Sequence, residues 1–181
     1  MIISDIHGSY EWTKKACDQF TASGANHLFI LGDVLYHGPR NALPQGHSPQ
    51  QTSEILNTFA DKIIAVRGNC EAEVDQLLLS FPCMSDYTIV VDEGREIFLT
   101  HGHLFENGLP FKLPDGSIHF SGHTHVWKLE KKDNIIFCNP GSISLPKSQD
   151  HLHTFAMYEN KTLSIINLDD PEQVLKTLLC D

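Results

Sequence analysis

Long hydrophobic runs are missing from this 181-residue chain. None reaches the roughly 18 consecutive apolar residues that a membrane helix needs, and the opening Met-Ile-Ile-Ser-Asp has no basic n-region and only two consecutive aliphatics. Neither a membrane span nor a secretory leader is therefore expected. Positive charge is also scarce, with 13 Lys and Arg against 23 Asp and Glu and a formal charge of −10. Surfaces that track long nucleic acids or lie on anionic lipid need clustered cations, so long nucleic acid and membrane are excluded as partners. The five cysteines (Cys17, Cys70, Cys83, Cys138, Cys180) are an odd number without Cys-x-x-Cys spacing. They fit neither a disulfide framework nor a zinc ribbon, and reduced thiols point to a cytoplasmic protein. Linkers, internal repeats and low-complexity tracts are absent too. Residues 1–181 read as one domain, for which area scaling leaves roughly 8,800 Å² exposed out of about 29,000 Å², so about 70% is buried. Monomer and homo-oligomer are both compatible with the composition.

What the chain has in excess is histidine, 11 in all. The surrounding pattern explains where they fall. In the first half, strand-like runs at Met1–Ser4, Leu28–Leu31 and Lys62–Val66 alternate with helical patterns. The first helix opens at Ser9 as N-cap and spaces Trp12, Ala16 and Phe20 on one face. The second opens with Ser48 as N-cap, Pro49 at the first position and Gln51 at capping-box spacing, with Ile55, Leu56 and Phe59 as its stripe. A third, about 71–80, carries Val74, Leu77 and Leu78. Such alternation predicts parallel strands with right-handed crossovers. In the second half, strand-like runs follow one another directly, at Tyr87–Val91, Glu96–Thr100, Ser117–Ser121, Trp127–Glu130, Ile135–Cys138, Thr154–Tyr158 and Leu163–Leu168. These predict antiparallel or mixed pairing. The expected fold is a four-layer α/β/β/α sandwich: two mixed β-sheets packed face to face and flanked by helices. The longest irregular stretch, Tyr36–His47, reads as a surface loop, and loops of that length are disproportionately functional.

Five times an apolar run ends and metal-ligand residue types appear at once: Asp5-Ile6-His7, Gly32-Asp33, Gly68-Asn69-Cys70, His101-Gly102-His103 and Gly122-His123-Thr124-His125. Alone, each block is ordinary. Asp-x-His by itself is more often a loop with a helix cap, and two neighbouring histidines are more often a strand end than a site. As an ordered set at strand termini they predict one rim, because ligands of α/β sheets bind at the carboxyl ends of the strands. Asp, Asn and His without an obligatory thiolate form an oxygen and nitrogen donor set, suited to Mn²⁺, Fe, Zn²⁺, Ni²⁺ or Mg²⁺. The set is large enough for two ions, which can generate hydroxide at neutral pH and clamp phosphoryl oxygens. His27, His119, His151 and His153 are expected at the surface or half-buried, and Asn139-Pro140-Gly141-Ser142 as a turn.

These blocks, in this order, resemble the calcineurin-like metallophosphoesterase superfamily (D-x-H, G-D, G-N, H-G-H, G-H-x-H). Within it, the loop His37-Gly38-Pro39-Arg40-Asn41-Ala42-Leu43-Pro44 and the cysteine after Gly68-Asn69 are similar to small bacterial YfcE-type phosphodiesterases. The resemblance spans residues 4 to about 147. It implies one ion held by Asp5, His7, Asp33 and His125 and a second held by Asp33, Asn69, His101 and His123, with Asp33 bridging. It also implies His103 beside the phosphate, and two divalent ions, foremost Mn²⁺.

The expected activity is hydrolysis of small phosphodiesters to a phosphomonoester and an alcohol, by attack of a hydroxide held between the ions. Across much of the superfamily the residue after Gly-Asn is a histidine; here it is Cys70, a poorer proton donor. Weaker acid assistance and a preference for good leaving groups follow, unless His103 takes that role. Arg40 and His47 are candidates to reach substrate. The motifs fit a phosphomonoesterase or cyclic-nucleotide phosphodiesterase equally well, because they encode the ions and not the pocket. A non-catalytic protein-binding scaffold of the same fold is the reading from another class, opposed by seven competent ligands. Two ions would raise the formal charge by four, to −6, with the positive charge concentrated where an anion binds.

Overall fold

Short strands of alternating apolar side chains build two sheets. The computed structural model describes residues 1–106, 108–109 and 111–180. Its first half runs β1 (Ile2–Ile3), α1 (Tyr10–Ser23), β2 (Leu28–Ile30), α2 (Pro49–Asn57), β3 (Ile63–Ala65) and α3 (Glu73–Leu78). Its second runs β4 (Tyr87–Asp92), β5 (Arg95–Thr100), β6 (Ile118–Phe120), β7 (Lys128–Lys132), β8 (Ile135–Asn139), β9 (Thr154–Glu159), β10 (Thr162–Asn167) and β11 (Val174–Leu179). The sheets are ordered β11-β10-β9-β1-β2-β3 and β4-β5-β6-β8-β7. In the first, β1, β2 and β3 are parallel and β9 to β11 antiparallel; in the second, β5, β6 and β8 are parallel and β4 and β7 antiparallel. The expected α/β sandwich of two mixed sheets is observed, and its exposed area of 8785 Å² matches the scaling expectation.

Strand periodicity decides which layer each side chain joins. Ile3, Leu28, Ile30, Ile63 and Ala65 pack towards the helices, with Trp12, Ala16 and Phe20 of α1 and Leu56 of α2. Their neighbours Ile2, Phe29 and Ile64 turn the other way, onto Ile97, Leu99, Ile118, Phe120 and Ile136 of the second sheet. Each fully buried large aliphatic or aromatic side chain here contributes about 1.5–3 kcal/mol. The outer face of the second sheet is covered, among the described residues, by loop aromatics: Phe105 and Phe111 lie 6.1 and 5.5 Å from Phe98, centroid to centroid.

α1 starts as expected, with Ser9 Oγ accepting from the Trp12 N–H, and ends at Gly24, which takes a left-handed φ of 67°. Two local expectations are corrected, and one strand is added. Ser48 stands at the N-cap of α2 but makes no side-chain cap bond, so the capping box with Gln51 is absent. The neighbouring Ser9–His47 bridge fixes that backbone, and Ser48 N–H donates to Gly8 O. The stripe of α3 is not buried: Val74, Leu77 and Leu78 are exposed, and the buried residue is Asp75, whose carboxylate accepts from the Ala72 N–H. Electrostatic capping rather than apolar burial sets that helix. Finally, β11 extends the sheet beyond Leu168; as an edge strand exposing Val174 and Leu179, it lacks the alternation that marks a strand in sequence.

Candidate metal centre

The blocks after β1, β2, β3, β5 and β6 meet at one edge of the sandwich. The first two loops are tied together by backbone bonds, Asp5 N–H to Gly32 O, His7 N–H to Asp33 O and Gly8 N–H to Val34 O. The last two are tied by Gly122 N–H to His101 O. Five donor residues sit in the left-handed region: Asp5 (φ 55°), His7 (51°), Asp33 (55°), His123 (67°) and His125 (59°). Such a conformation costs about 1–2 kcal/mol per non-glycine residue, so the surrounding bonds hold these side chains against a local preference.

Backbone carbonyls then fix which ring nitrogen faces inward. The Nδ1–H groups of His7, His101 and His125 donate to Tyr36 O (2.8 Å), Leu31 O (2.6 Å) and Leu145 O (2.7 Å), because a carbonyl can only accept. Their Nε2 atoms point into the centre. His7 Nε2 lies 3.2 Å from His125 Nε2, 3.9 Å from Asp5 Oδ1 and 3.7 Å from Asp33 Oδ2. His125 Nε2 is 3.3 Å from Asp5 Oδ1. His101 Nε2 stands 3.1 Å from Asn69 Oδ1, 3.5 Å from Asp33 Oδ1 and 3.3 Å from His123 Nδ1. Within each of the triads Asp5, His7, His125 and Asp5, Asp33, His101, one donor atom per residue lies within 4.8 Å of the others.

The electrostatics match this crowding. Burial, then the neighbouring Asp33, drives the Asp5 carboxyl well above its ordinary range. Burial lowers the imidazoles of His7 and His123, and that of His125 to about 4. Neutral rings with Nδ1–H committed present bare Nε2 lone pairs to carboxylate oxygens, and Asp5 Oδ1 is buried without a hydrogen-bond partner among the described residues. Two facing nitrogens and an orphaned oxygen are a donor set that a divalent cation satisfies. Glycine makes the packing feasible. A Cβ on Gly68 would overlap Asp33 Oδ1, and one on Gly122 would overlap Ser4 Oγ.

The structure thus brings all seven expected ligands, Asp5, His7, Asp33, Asn69, His101, His123 and His125, to one place. His103 lies beside them, its ring 5.3 Å from His101 and 6.1 Å from His123, with Nδ1 buried and unpartnered among the described residues. Cys70 borders the centre through its N–H, which donates to Asp33 Oδ1 at 2.9 Å. Burial and the Asp33 charge push its thiol up, and its Sγ lies within 4.8 Å of donor atoms of His7 and Asp33. His47 is turned to the scaffold: its Nδ1–H donates to His7 O at 3.1 Å. Arg40 is exposed on the neighbouring loop.

Supporting residues were not legible beforehand. Glu71 accepts from the N–H groups of Asp33 (3.0 Å), Val34 (2.6 Å) and Gly68, and burial beside Asp33 raises it to about 7. An acid two residues after Asn69 was its only signal. The 139–142 turn does more than reverse the chain. Asn139 Nδ2 donates to Gly122 O, and the hydroxyls of Ser142 and Ser144 both donate to Asp5 O. Glu106 Oε1 lies 3.4 Å from His123 Nε2.

Comparison with known proteins agrees with this geometry. Residues 1–163 match the calcineurin-like phosphoesterase superfamily domain. The chain is 48% identical over 171 residues to Phosphodiesterase YfcE of Escherichia coli (strain K12), covering 94% of this chain and 92% of that protein. It superposes on the solved structure of YfcE, a phosphoesterase from E. coli, with a TM-score of 0.96 and 45% identity over 100% of this chain and 98% of that one. Vacuolar Protein Sorting 29 from Cryptosporidium parvum shares the fold at 19% identity and a TM-score of 0.66, covering 98% of this chain and 96% of that one. The chain belongs to the calcineurin-like phosphoesterase superfamily.

Proposed function

We propose that this protein is a metal-dependent phosphodiesterase that hydrolyses small phosphodiesters to a phosphomonoester and an alcohol. The observation that carries the reading is the inward set of lone pairs: three buried imidazoles with Nδ1–H spent on backbone carbonyls, facing Asp5, Asp33 and Asn69. Asp5, His7, Asp33 and His125 would hold one divalent ion, and Asp33, Asn69, His101 and His123 a second. We take Mn²⁺ as the native ion on the family resemblance; the oxygen and imidazole donor set also accommodates Zn²⁺, Fe, Ni²⁺ or Mg²⁺. Bound there, divalent ions supply a water acidic enough to ionise near neutral pH and a positive field for the phosphoryl oxygens.

The chain's own residues do the rest. Asp33, held by Cys70 N–H, has one carboxylate oxygen near His7 and the other near His101, which supports the reading that it would serve both ions. His103, whose imidazole burial keeps neutral, would orient the phosphate with a hydrogen bond from its ring N–H, whereas protonating the departing alcohol would require the imidazolium form that burial disfavours. Cys70 contributes a backbone donor and a weak thiol donor, not a nucleophile, so esters with acidic leaving groups are favoured. His47 positions His7, while Arg40 is a substrate contact. No helix among the described residues is long and apolar enough to cross a membrane. The five cysteines form no disulfide among the described residues, which supports a cytoplasmic setting, and we take the 181 residues as one domain.

The test is hydrolysis of bis(p-nitrophenyl) phosphate with and without Mn²⁺, beside p-nitrophenyl phosphate. Mn²⁺-dependent turnover of the diester is expected. Absence of metal-dependent turnover of either compound refutes the enzyme, and preference for the monoester refutes the diesterase assignment.

A further inference from the structure

A hollow of about 550 Å³ opens beside the metal centre, between the loop carrying Arg40 and Asn41 and the segment from Ser144 to Lys147. Both walls are anchored to the centre. Tyr36, at the root of the first loop, accepts from His7, while Leu145 O accepts from His125 and Lys147 N–H donates to His125 O.

The lining is unusual for so acidic a protein. It contains Arg40, Lys147, His151 and His153 and no Asp or Glu, although the chain has 23 of them. The two other hollows described are both lined by carboxylates, Asp92, Glu93 and Glu159 in one and Glu11 and Asp18 in the other. Of the eleven other Lys and Arg residues, six are ion-paired among the described residues, as in Lys14–Asp18, Lys15–Asp169, Arg67–Asp86 and Lys128–Glu130, and the remaining five line none of the hollows described. Arg40 has no ion pair among the described residues, and Lys147 Nζ has only the amide oxygen of Asn41 at 3.4 Å. The floor is rigid, because Trp12 is buried and stacks on His153 with centroids 3.5 Å apart and planes 13° from parallel. Two cations without an ion pair among the described residues, lining one hollow that no carboxylate lines, suit an anion.

We propose that this hollow is an anion subsite, in which Arg40 and Lys147 bind a second negatively charged group, a phosphate or carboxylate, on a diester whose scissile group lies at the metal centre. The inference rests on the phosphodiesterase reading and narrows its substrate class to diesters bearing an additional anionic substituent. It makes Arg40 and Lys147 specificity residues.

The test compares the p-nitrophenyl ester of thymidine 5′-phosphate with the same ester carrying a 3′-phosphate, which share one leaving group. The Mn²⁺-loaded wild type should favour the 3′-phosphorylated ester by about tenfold in kcat/KM, chiefly through KM. Calorimetric titration should show thymidine 3′,5′-bisphosphate binding more tightly than thymidine 5′-phosphate by a similar factor. In the double variant Arg40→Gln, Lys147→Gln both ratios should fall towards one. A wild-type ratio below about threefold, or the same ratio in the variant, overturns the subsite. If no diester is turned over, the phosphodiesterase reading fails by itself, and the affinity ratio still decides the subsite.

Discussion

His7 Nε2 and His125 Nε2 face each other at 3.2 Å across 118 residues of sequence, each ring having already given its Nδ1–H to a backbone carbonyl. Two lone pairs in that position repel, and only a group that accepts both relieves them. A cation bound at this centre would therefore contribute to folding stability.

Adding Mn²⁺ to chelator-treated protein should raise the melting temperature. An ion present at one hundred times its dissociation constant adds about 2.7 kcal/mol, which is roughly 5–10 °C for a chain of this size. Calorimetry with and without chelator measures it. A shift within error, or one retained by His125→Ala, would refute cation binding at this pair.

Asp33→Ala should abolish diester hydrolysis by at least about 10³-fold and lower the number of bound ions, because one carboxylate faces both His7 and His101. Metal content after dialysis, measured beside activity, reads both effects. An active variant with two ions would rule out the bridge.

Glu71→Gln tests the hidden support. The carboxylate accepts three backbone N–H groups, whereas an amide presents one oxygen and turns an NH₂ towards a donor. A loss of about 1–3 kcal/mol in stability is expected, together with a roughly 10–100-fold weaker metal affinity. Urea titration and metal titration separate the two, and unchanged metal affinity would show that Glu71 serves the fold alone.

His119 gives a pH prediction away from the centre. Its ring packs against Phe98 and Phe137, neither nitrogen has a partner among the described residues, and burial lowers it to about 4. Between its ordinary 6.5 and about 4 the unfolded chain binds a proton that the folded one does not. Stability is therefore lost as pH falls through that window, by up to about 3 kcal/mol. His119→Phe should gain stability over wild type, and the gain should grow from pH 7.5 to pH 4.5. Parallel stability-against-pH curves for the two proteins would contradict it.

Much of the fold was legible because strand and helix periods are local. Trp12, Ala16 and Phe20 mark α1, and the alternation of parallel and antiparallel halves follows from the spacing of apolar runs. Locality also explains the failures. Val74, Leu77 and Leu78 carry helical spacing, yet α3 is held by Asp75 and Ala72, and nothing local says that its apolar side faces water. β11 is held by backbone pairing to β10, which leaves no side-chain pattern.

At the metal centre the sequence by itself determined the donors, their order and their place after strand ends, because residue type and a preceding apolar run suffice to state them. Tertiary structure decided everything that turns donors into a site. Tyr36 O, Leu31 O and Leu145 O choose the inward nitrogen of three histidines from 29, 70 and 20 residues away. Ser142 and Ser144 hold the Asp5 carbonyl from across the chain, and Glu71 gathers three backbone N–H groups. Five donors stand in left-handed conformations that no local preference selects. A residue's chemistry belongs to its side chain, but its tautomer, charge and direction belong to its neighbours, and those are assembled only when the two sheets close.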